Sequence, residues 1–448
     1  MATKNKQFQT PSGMHDILPS EQHIWQHFYK IAEELASFYN FRRIDTPALE
    51  FTDLFRKGTG QGTDIVEKEM YNLKTRGGDA LTLRPEGTPP IVRSYIQHGM
   101  KKWTSPVKLY YISSMFRHDR PQRGRFRQFY QFGLETIGED DPARDAEILH
   151  VFFIVLNRLR LKNIIVEINS IGCSDCRPKY IKILKEYYRY RLKQVCKDCR
   201  RKYKDSPLHL LDCEDEKCGR VKTETPHILD YLCADCNSHF KKVLEMLDSI
   251  GIPYLLNPYL VRGLEYYTRT VFEIFEEQAN SDVKDTKDDK EDSNSPQEPE
   301  TKRLAIASGG RYDNLVKFLG GKDTPAVGGA MGIERIMDAL ARNHVQPAKP
   351  AEPKVFIVQL GDMAKKRAFS LFEEFRKARI PVREAFGRDS ISSQLKLANK
   401  FRADVAVIIG QKEALDKVAI IREMDTGTQE TIPQDKLIKE VTRRLRNK

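Results

Sequence analysis

The chain has 448 residues, 40% of them hydrophobic, and carries 75 Lys and Arg against 63 Asp and Glu, a net charge of +12. That length exceeds one ordinary core and implies roughly two to four domains, while the positive surplus favours polyanionic partners such as nucleic acid or nucleotide phosphates. No apolar run reaches the ~18 residues a membrane span requires, and the opening MATKNKQFQTPSG lacks the apolar core of a signal peptide. The expectation is a cytoplasmic protein with no membrane partner. All eight cysteines lie between Cys173 and Cys236, and in a reducing compartment they are not expected to form disulfides.

Along the chain, Trp25, Phe28, Ile31, Ala32, Leu35 and Tyr39 recur at helical spacing, predicting an amphipathic helix over 21–39. RRIDTPALE reads as a strand interrupted at Pro47. From 80 to 137, short runs such as ALTLRP, PVKLYYISSMFRH and FRQFYQFGLETIG are separated by Pro, Gly and charge, the pattern of an antiparallel sheet with hairpins. A helix over about 143–160 precedes the strand NIIVEIN. The cysteine-bearing section is helical and ends in NSHFKKVLEMLDSIG, closed by Gly251. Strands return at 268–275 and 303–310, around an acidic segment with ten Asp and Glu and three Lys over 276–300. That segment is almost free of apolar groups and is expected to be a disordered loop, about 276–302.

QPAKPAEP, 346–353, reads as a Pro/Ala linker. Apolar strands alternating with helices over 354–448 predict a small α/β domain whose sheet is covered on both faces. The remaining boundaries are a first domain over 1–345 with a helical insertion over about 171–250.

Four cysteine pairs, Cys173/Cys176, Cys196/Cys199, Cys213/Cys218 and Cys233/Cys236, have the spacing to fill two tetrahedral zinc sites. No His or carboxylate is placed to leave a water-bearing position, so such zinc would be structural; spacing leaves open which pairs share an ion. AVGGAMGIERIMDAL lacks a Walker lysine, which rules out a P-loop, and reads as a small-residue strand entering a helix from which Arg335 projects. In LRPEGTPPIVRSY, Glu86 precedes a Gly87-Thr88 turn, suited to holding a ligand ammonium. Arg262, Tyr266 and Tyr267 sit together in LVRGLEYYTRT. In FRHDRPQRGRFRQF, the strand-like ends flank the turn Pro121-Gln122-Arg123-Gly124. Period-two alternation aligns Arg125, Arg127 and Phe129 with Gln131, Gly133 and Glu135 on one face.

Together these segments resemble the class II aminoacyl-tRNA synthetases. Phe116 to Phe129 resembles motif 2, GGAMGIERI motif 3, and RRIDTPALE motif 1 of the dimer interface. LVRGLEYY, ASGGRYDNL and LRPEGT are similar to segments of the histidyl-tRNA synthetase family, in the expected order over nearly the whole chain. The resemblance implies an α+β fold: an antiparallel-sheet catalytic domain with a helical cysteine-rich insertion, followed by a C-terminal α/β anticodon-binding domain. It implies ATP with Mg2+, L-histidine and tRNA(His) as partners, and a homodimer.

By the same resemblance Arg117 and Arg262 serve the α-phosphate as catalytic cations. Arg125, Phe129 and Arg335 complete the ATP site, with Phe129 on the adenine. Glu86, Gly87 and Thr88 take the amino group of histidine, and Gln131, Glu135, Tyr266 and Tyr267 shape its pocket. Gln122 and Arg123 reach the tRNA acceptor end. Asp119 stands where the family commonly has Glu, and Glu265 where Asp is usual. The family does not generally require metal, so structural Zn2+ on the eight cysteines is a separate expectation. A non-catalytic regulatory subunit of ATP phosphoribosyltransferase shares the fold, but that reading predicts loss of the motif arginines and of the C-terminal domain, and both are present. A zinc-stabilised RNA-binding protein leaves Glu86, Glu135 and Arg262 unexplained.

Overall fold

Residues 8–122, 124–213, 215–277, 305–349 and 352–446 are described by the structure, a computed structural model, which divides into two units between Pro347 and Ala348. The acidic segment from 278 to 304 and the turn residue Arg123 therefore lie outside the described residues.

In the first unit, helix α1 (Gln22–Phe38) buries the predicted stripe of Trp25, Phe28, Ile31, Ala32 and Leu35. RRIDTPALE divides at Pro47 into β1 (Arg42–Arg43) and β2 (Leu49–Phe51), which join different sheets. Helix α2 (Thr52–Thr59) follows, and β3 (Tyr71–Lys74) and β4 (Ala80–Leu83) complete a three-stranded sheet ordered β2-β4-β3. One stretch departs from the predicted run of strands: TPPIVRSYIQ is helix α3 (Thr88–Gln97). Pro89 and Pro90 occupy its first turn, where amide hydrogens have no intrahelical partner and a fixed φ suits the helix.

The main sheet is built on the hairpin of β5 (Val107–Phe116) and β6 (Gln128–Ile137), paired from Val107↔Ile137 to Phe116↔Gln128. Helix α4 (Ala143–Arg158) leads to β7 (Ile164–Ser170). The cysteine-rich section then contributes α5 (Cys176–Arg189), α6 (Lys197–Lys202), α7 (Glu216–Lys222) and α8 (Ala234–Ser249). Next come β8 (Tyr254–Leu256), β9 (Thr268–Glu276), β10 (Ala307–Arg311), α9 (Leu315–Phe318), β11 (Ala326–Gly332) and α10 (Ile333–Arg342). Among the described residues the sheet has eight strands in the order β1-β5-β6-β11-β10-β9-β7-β8, antiparallel except for its outer pairs β1–β5 and β7–β8.

Alternation along β6 sorts the two faces. Phe132 and Leu134 enter a core with Phe28 of α1, Phe152 of α4, Phe240, Val243 and Leu247 of α8, and Phe272 of β9. Their neighbours Gln131, Gly133 and Glu135 face the opposite side, where Gln131 lines a cavity and a second core joins Leu109 and Tyr111 of β5 to Ile91, Val92 and Tyr95 of α3. On β10 and β11, Gly309 faces Gly329 and Gly310 faces Gly328, and a β-carbon at Gly309 would overlap the opposing backbone. The small residues are thus set by close strand approach.

The second unit has a five-stranded sheet of β12 (Val355–Gln359), β13 (Val382–Glu384), β14 (Val405–Ile409), β15 (Val418–Glu423) and β16 (Gln429–Pro433), ordered β13-β12-β14-β15-β16. Val355 and Ile357 pack under α11 (Asp362–Lys377) and α14 (Leu437–Arg446), numbered after α12 (Ile391–Lys400) and α13 (Gln411–Leu415). Phe356 and Val358 pack with Ala398 of α12 on the other face. Both faces are covered, as the near-continuous apolar strands require.

Candidate active site

A cavity of about 700 Å3 opens on the polar face of the main sheet. At one end Glu86, fully buried just before α3, accepts hydrogen bonds from Thr59 Oγ1 at 2.5 Å and Tyr266 OH at 2.7 Å. Glu135 on β6 accepts from Thr88 Oγ1 at 2.7 Å and from the Tyr312 hydroxyl. Burial pushes Glu135 up to about 8 despite those donors, and burial also raises Glu86. Burial outweighs those donors and, at Glu86, the charges of Arg117 and Arg262, so an incoming positive charge would stabilise both carboxylates. The rings of Tyr266 and Tyr267 pack 4.6 Å apart, and the Gln131 Oε1 atom is buried without a hydrogen-bond partner.

The other end is cationic. Arg117 donates from Nε to the Pro85 carbonyl at 2.9 Å and lies 5.4 Å over the Phe129 ring. Arg335, in the first turn of α10, donates to the carbonyls of Gly124 at 3.0 Å and Ala305 at 2.5 Å. Burial, then repulsion from Arg125 and Arg117, draws Arg335 down to about 10. Arg125 pairs with Asp119 at 3.2 Å. Arg262 pairs with Glu273, donates to Ser308 Oγ at 2.9 Å, and lies 5.8 Å over the Tyr267 ring. Burial opposes the Arg262 charge, but Glu273 together with Tyr267, Tyr266 and Asp212 outweighs it and holds the guanidinium above its ordinary range. Arg117 and Arg335 spend these bonds on neutral carbonyls, so their charge is available to a polyanion, and the flat Phe129 ring beside them suits a heterocycle.

The fold brings Glu86, Gly87, Thr88, Arg117, Arg125, Phe129, Gln131, Arg262, Tyr266, Tyr267 and Arg335 to this cavity wall. Two predicted histidine- or tRNA-contacting residues, Glu135 and Gln122, stand off that wall. Glu135 lies one layer beneath, fully buried, because Tyr111 sits opposite Gly133 and fills the space above it; β-carbons at Gly87 or Gly133 would overlap that ring. Gln122 is exposed and forms a two-way backbone bridge with Arg125, closing the turn. Arg123 is outside the described residues. Arg127 does not continue the face of Phe129: β6 begins only at Gln128, and Arg127 Nε donates to the Asp119 carbonyl at 3.1 Å.

Several residues of the site escaped sequence reasoning. Glu273 is the lone acid of VFEIF and was discoverable as a polar interruption of an apolar strand. Tyr312 lies inside the quoted ASGGRYDNL. Ser308 lies inside the same segment, whereas nothing local marked Thr59 or Tyr111. The insertion supplies a further wall, with Lys202 bonded to Asp64 at 3.1 Å and to His209 at 3.2 Å.

The cysteines gather in two groups, Cys173, Cys176, Cys233 and Cys236, and Cys196, Cys199, Cys213 and Cys218. Each group can seat one metal ion. Among the described residues no helix is long and apolar enough to cross a membrane.

Residues 13–286 match the family described as Histidyl-tRNA synthetase, and residues 354–444 match that described as Anticodon binding domain. The chain is 43% identical over 438 residues to a histidine–tRNA ligase of Dehalococcoides mccartyi strain 195, covering 98% of this chain and 100% of the relative. It is 39% identical over 437 residues to a histidine–tRNA ligase of Caldanaerobacter subterraneus subsp. tengcongensis, covering 98% and 99%. The crystal structure of apo S. aureus histidyl-tRNA synthetase superposes with a TM-score of 0.76 at 32% identity, over 97% of this chain and 99% of that one.

Proposed function

The chain belongs to the histidyl-tRNA synthetase family, and from that premise we propose that it activates L-histidine with ATP and Mg2+ and transfers the histidyl group to the 3′ end of tRNA(His). The observation that carries this reading is one cavity that gathers the buried carboxyl of Glu86, with Glu135 beneath Thr88, and four guanidinium groups, Arg117, Arg125, Arg262 and Arg335, on a wall that includes Phe129.

In the first step a carboxylate oxygen of histidine bonds to the α-phosphorus of ATP. The bond to the bridging oxygen breaks, and pyrophosphate leaves with the electron pair. Mg2+ bound to ATP supplies charge neutralisation for the phosphates. Arg117 and Arg262 hold the α-phosphate, where their preorganised charge favours the crowded transition state over the ground state. Glu273 and Ser308 keep Arg262 aimed. Phe129 supports the adenine, and Arg125 and Arg335 take the far phosphates.

Glu86, with Gly87 and Thr88, receives the α-ammonium of histidine. Tyr266, Tyr267 and the unpartnered Gln131 carbonyl oxygen face the imidazole. Glu135 acts from beneath, orienting the Thr88 and Tyr312 hydroxyls. A pocket of buried polar groups rejects an isostere that leaves them unpaired. In the second step the terminal ribose hydroxyl of the tRNA attacks the acyl carbon and AMP leaves. Gln122 and Arg123 at the hairpin turn meet the acceptor end, and the C-terminal unit meets the anticodon. A cytoplasmic homodimer, with structural Zn2+ on the cysteines, completes the reading.

The test is aminoacylation by the purified protein with ATP, histidine and tRNA(His). Formation of histidyl-tRNA is expected. Tight tRNA binding with no charging would favour a non-catalytic RNA-binding role.

A further inference from the structure

The cysteine spacing allowed any two knuckles to share an ion, whereas the structure nests them: the first pair closes on the last, and the second on the third. In the outer group Cys173 Sγ lies 3.6 Å from Cys176 and 3.9 Å from Cys233, and Cys176 lies 3.7 Å from Cys236. In the inner group the separations are 3.9 Å for Cys196–Cys213 and 3.7 Å for Cys199–Cys218. Four thiolates bound tetrahedrally at ~2.3 Å from a zinc ion stand about 3.8 Å apart. A disulfide would need about 2.05 Å, and a cubane iron–sulfur cluster spreads its thiolates over a much larger tetrahedron than sulfurs all within 4.8 Å of one another permit. Backbone amides support the sulfurs: Cys173 N–H donates to Cys176 at 3.1 Å, Asp175 N–H to Cys173 at 3.4 Å, and Cys196 N–H to Cys218 at 3.2 Å.

The two groups are connected to different parts of the molecule. Cys176 opens α5, and its neighbour Arg177 donates to the Tyr267 carbonyl and, at 3.4 Å, to the Ile171 carbonyl. The same strap is stitched to the strand after Tyr267, with Ile171 N–H bonded to the Arg269 carbonyl at 2.8 Å and Arg269 N–H to the Gly172 carbonyl at 2.9 Å. Gly172 turns there with φ +68, and a β-carbon would press on Cys176 Sγ. The outer group joins this strap to Cys233 and Cys236 at the start of α8, whose Phe240, Val243 and Leu247 are fixed in the main core. The inner group instead joins α6, the chain at Cys213 and α7, all within the insertion. It reaches the cavity wall through residues it encloses, among them Lys202, His209 and Asp212, with Lys202 paired to Asp64 on the rim.

We propose that both groups bind Zn2+, and that the outer ion positions Tyr267 at the histidine end of the cavity while the inner ion staples the insertion alone. The division of labour rests on the histidine-activating reading above; the metal count does not.

Zinc and iron are measured by elemental analysis of the full-length protein, and histidine-dependent ATP–pyrophosphate exchange is measured on the same preparations. The wild-type chain is expected to hold two zinc ions. Cys218→Ser should hold one with an unchanged KM for histidine. Cys236→Ser should hold one with a KM for histidine raised on the order of tenfold and kcat nearly preserved, the signature of a displaced binding wall. Arg177→Met keeps every ligand, so it should retain two ions and show the same KM rise, and it decides the question if Cys236→Ser fails to fold. A wild-type chain that takes up no zinc, or iron in its place, overturns the metal assignment. Arg177→Met with two ions and an unaltered KM overturns the positioning role, as does an equal KM rise in both cysteine variants. Two zinc ions in a wild-type chain without exchange would support the metal sites and sink the activation reading instead.

Discussion

At the carboxylate end of the cavity, burial drives Glu86 and Glu135 toward their neutral forms, whereas at the cationic end Arg335, partly buried and crowded by Arg125 and Arg117, comes down only to about 10 and stays charged at neutral pH. The difference is chemical. A carboxyl group escapes an unfavourable environment by taking a proton, while a guanidinium in a protein has no such escape. One end is therefore a standing array of positive charge awaiting a polyanion, and the other is a pocket whose charge is set by its ligand. A cation entering beside Glu86 favours the carboxylate that burial disfavours, so binding and protonation are linked there and not at the arginines.

The largest expected effect is at the standing charge. Arg262→Ala should lower kcat by on the order of 10²-fold or more with little change in KM for histidine, because in the proposed reaction its interaction is strongest as charge develops at the α-phosphate. Pyrophosphate-exchange kinetics check this, and normal turnover would remove Arg262 from the transition state. Next, Glu86→Gln keeps the Thr59 and Tyr266 contacts but removes the charge, and should raise KM for histidine on the order of tenfold. Titration calorimetry sharpens the comparison: histidine should bind Glu86→Gln more weakly than the wild-type chain, while ATP binding is unchanged.

A smaller effect concerns the ligand-free fold. The Glu135 carboxyl is raised from 4.5 to about 8, so the unfolded chain gives up that proton at lower pH than the folded one does. Its contribution to stability is fully present below the ordinary carboxylate range and is lost as pH rises through the interval up to about 8. The thermal midpoint should fall across that interval by a few degrees, and Glu135→Gln should flatten the fall; a wild-type midpoint that rises instead would contradict the buried neutral state. Smallest of all, Asp119→Asn breaks a pair whose members are about one-third exposed, and should change the KM for ATP by less than about fivefold, as exposed pairs contribute under ~1 kcal/mol.

Much of this site was legible because its chemistry is carried by short segments. The motif arginines, Phe129, Glu86 and the paired tyrosines all reach one cavity. What escaped was set by partners distant in sequence. Alternation along β6 places Glu135 on the correct face, but its depth is decided by Tyr111 of β5, whose ring fills the gap left by Gly133. The departure of Arg127 from that face follows from where β6 begins, which hydrophobic alternation alone does not reveal. Helix α3 was hidden because Pro89 and Pro90 punctuate the sequence like a turn while occupying a helical first turn. The cysteine pairing depends on the path of the whole insertion, and no local spacing encodes it.

Histidine-dependent ATP–pyrophosphate exchange by the purified chain, run in parallel with each of the other standard amino acids, tests the two-ended cavity most directly. The account predicts exchange with histidine and none of comparable rate with the others. Exchange driven equally by another amino acid, or absent with histidine while ATP binds, would contradict it.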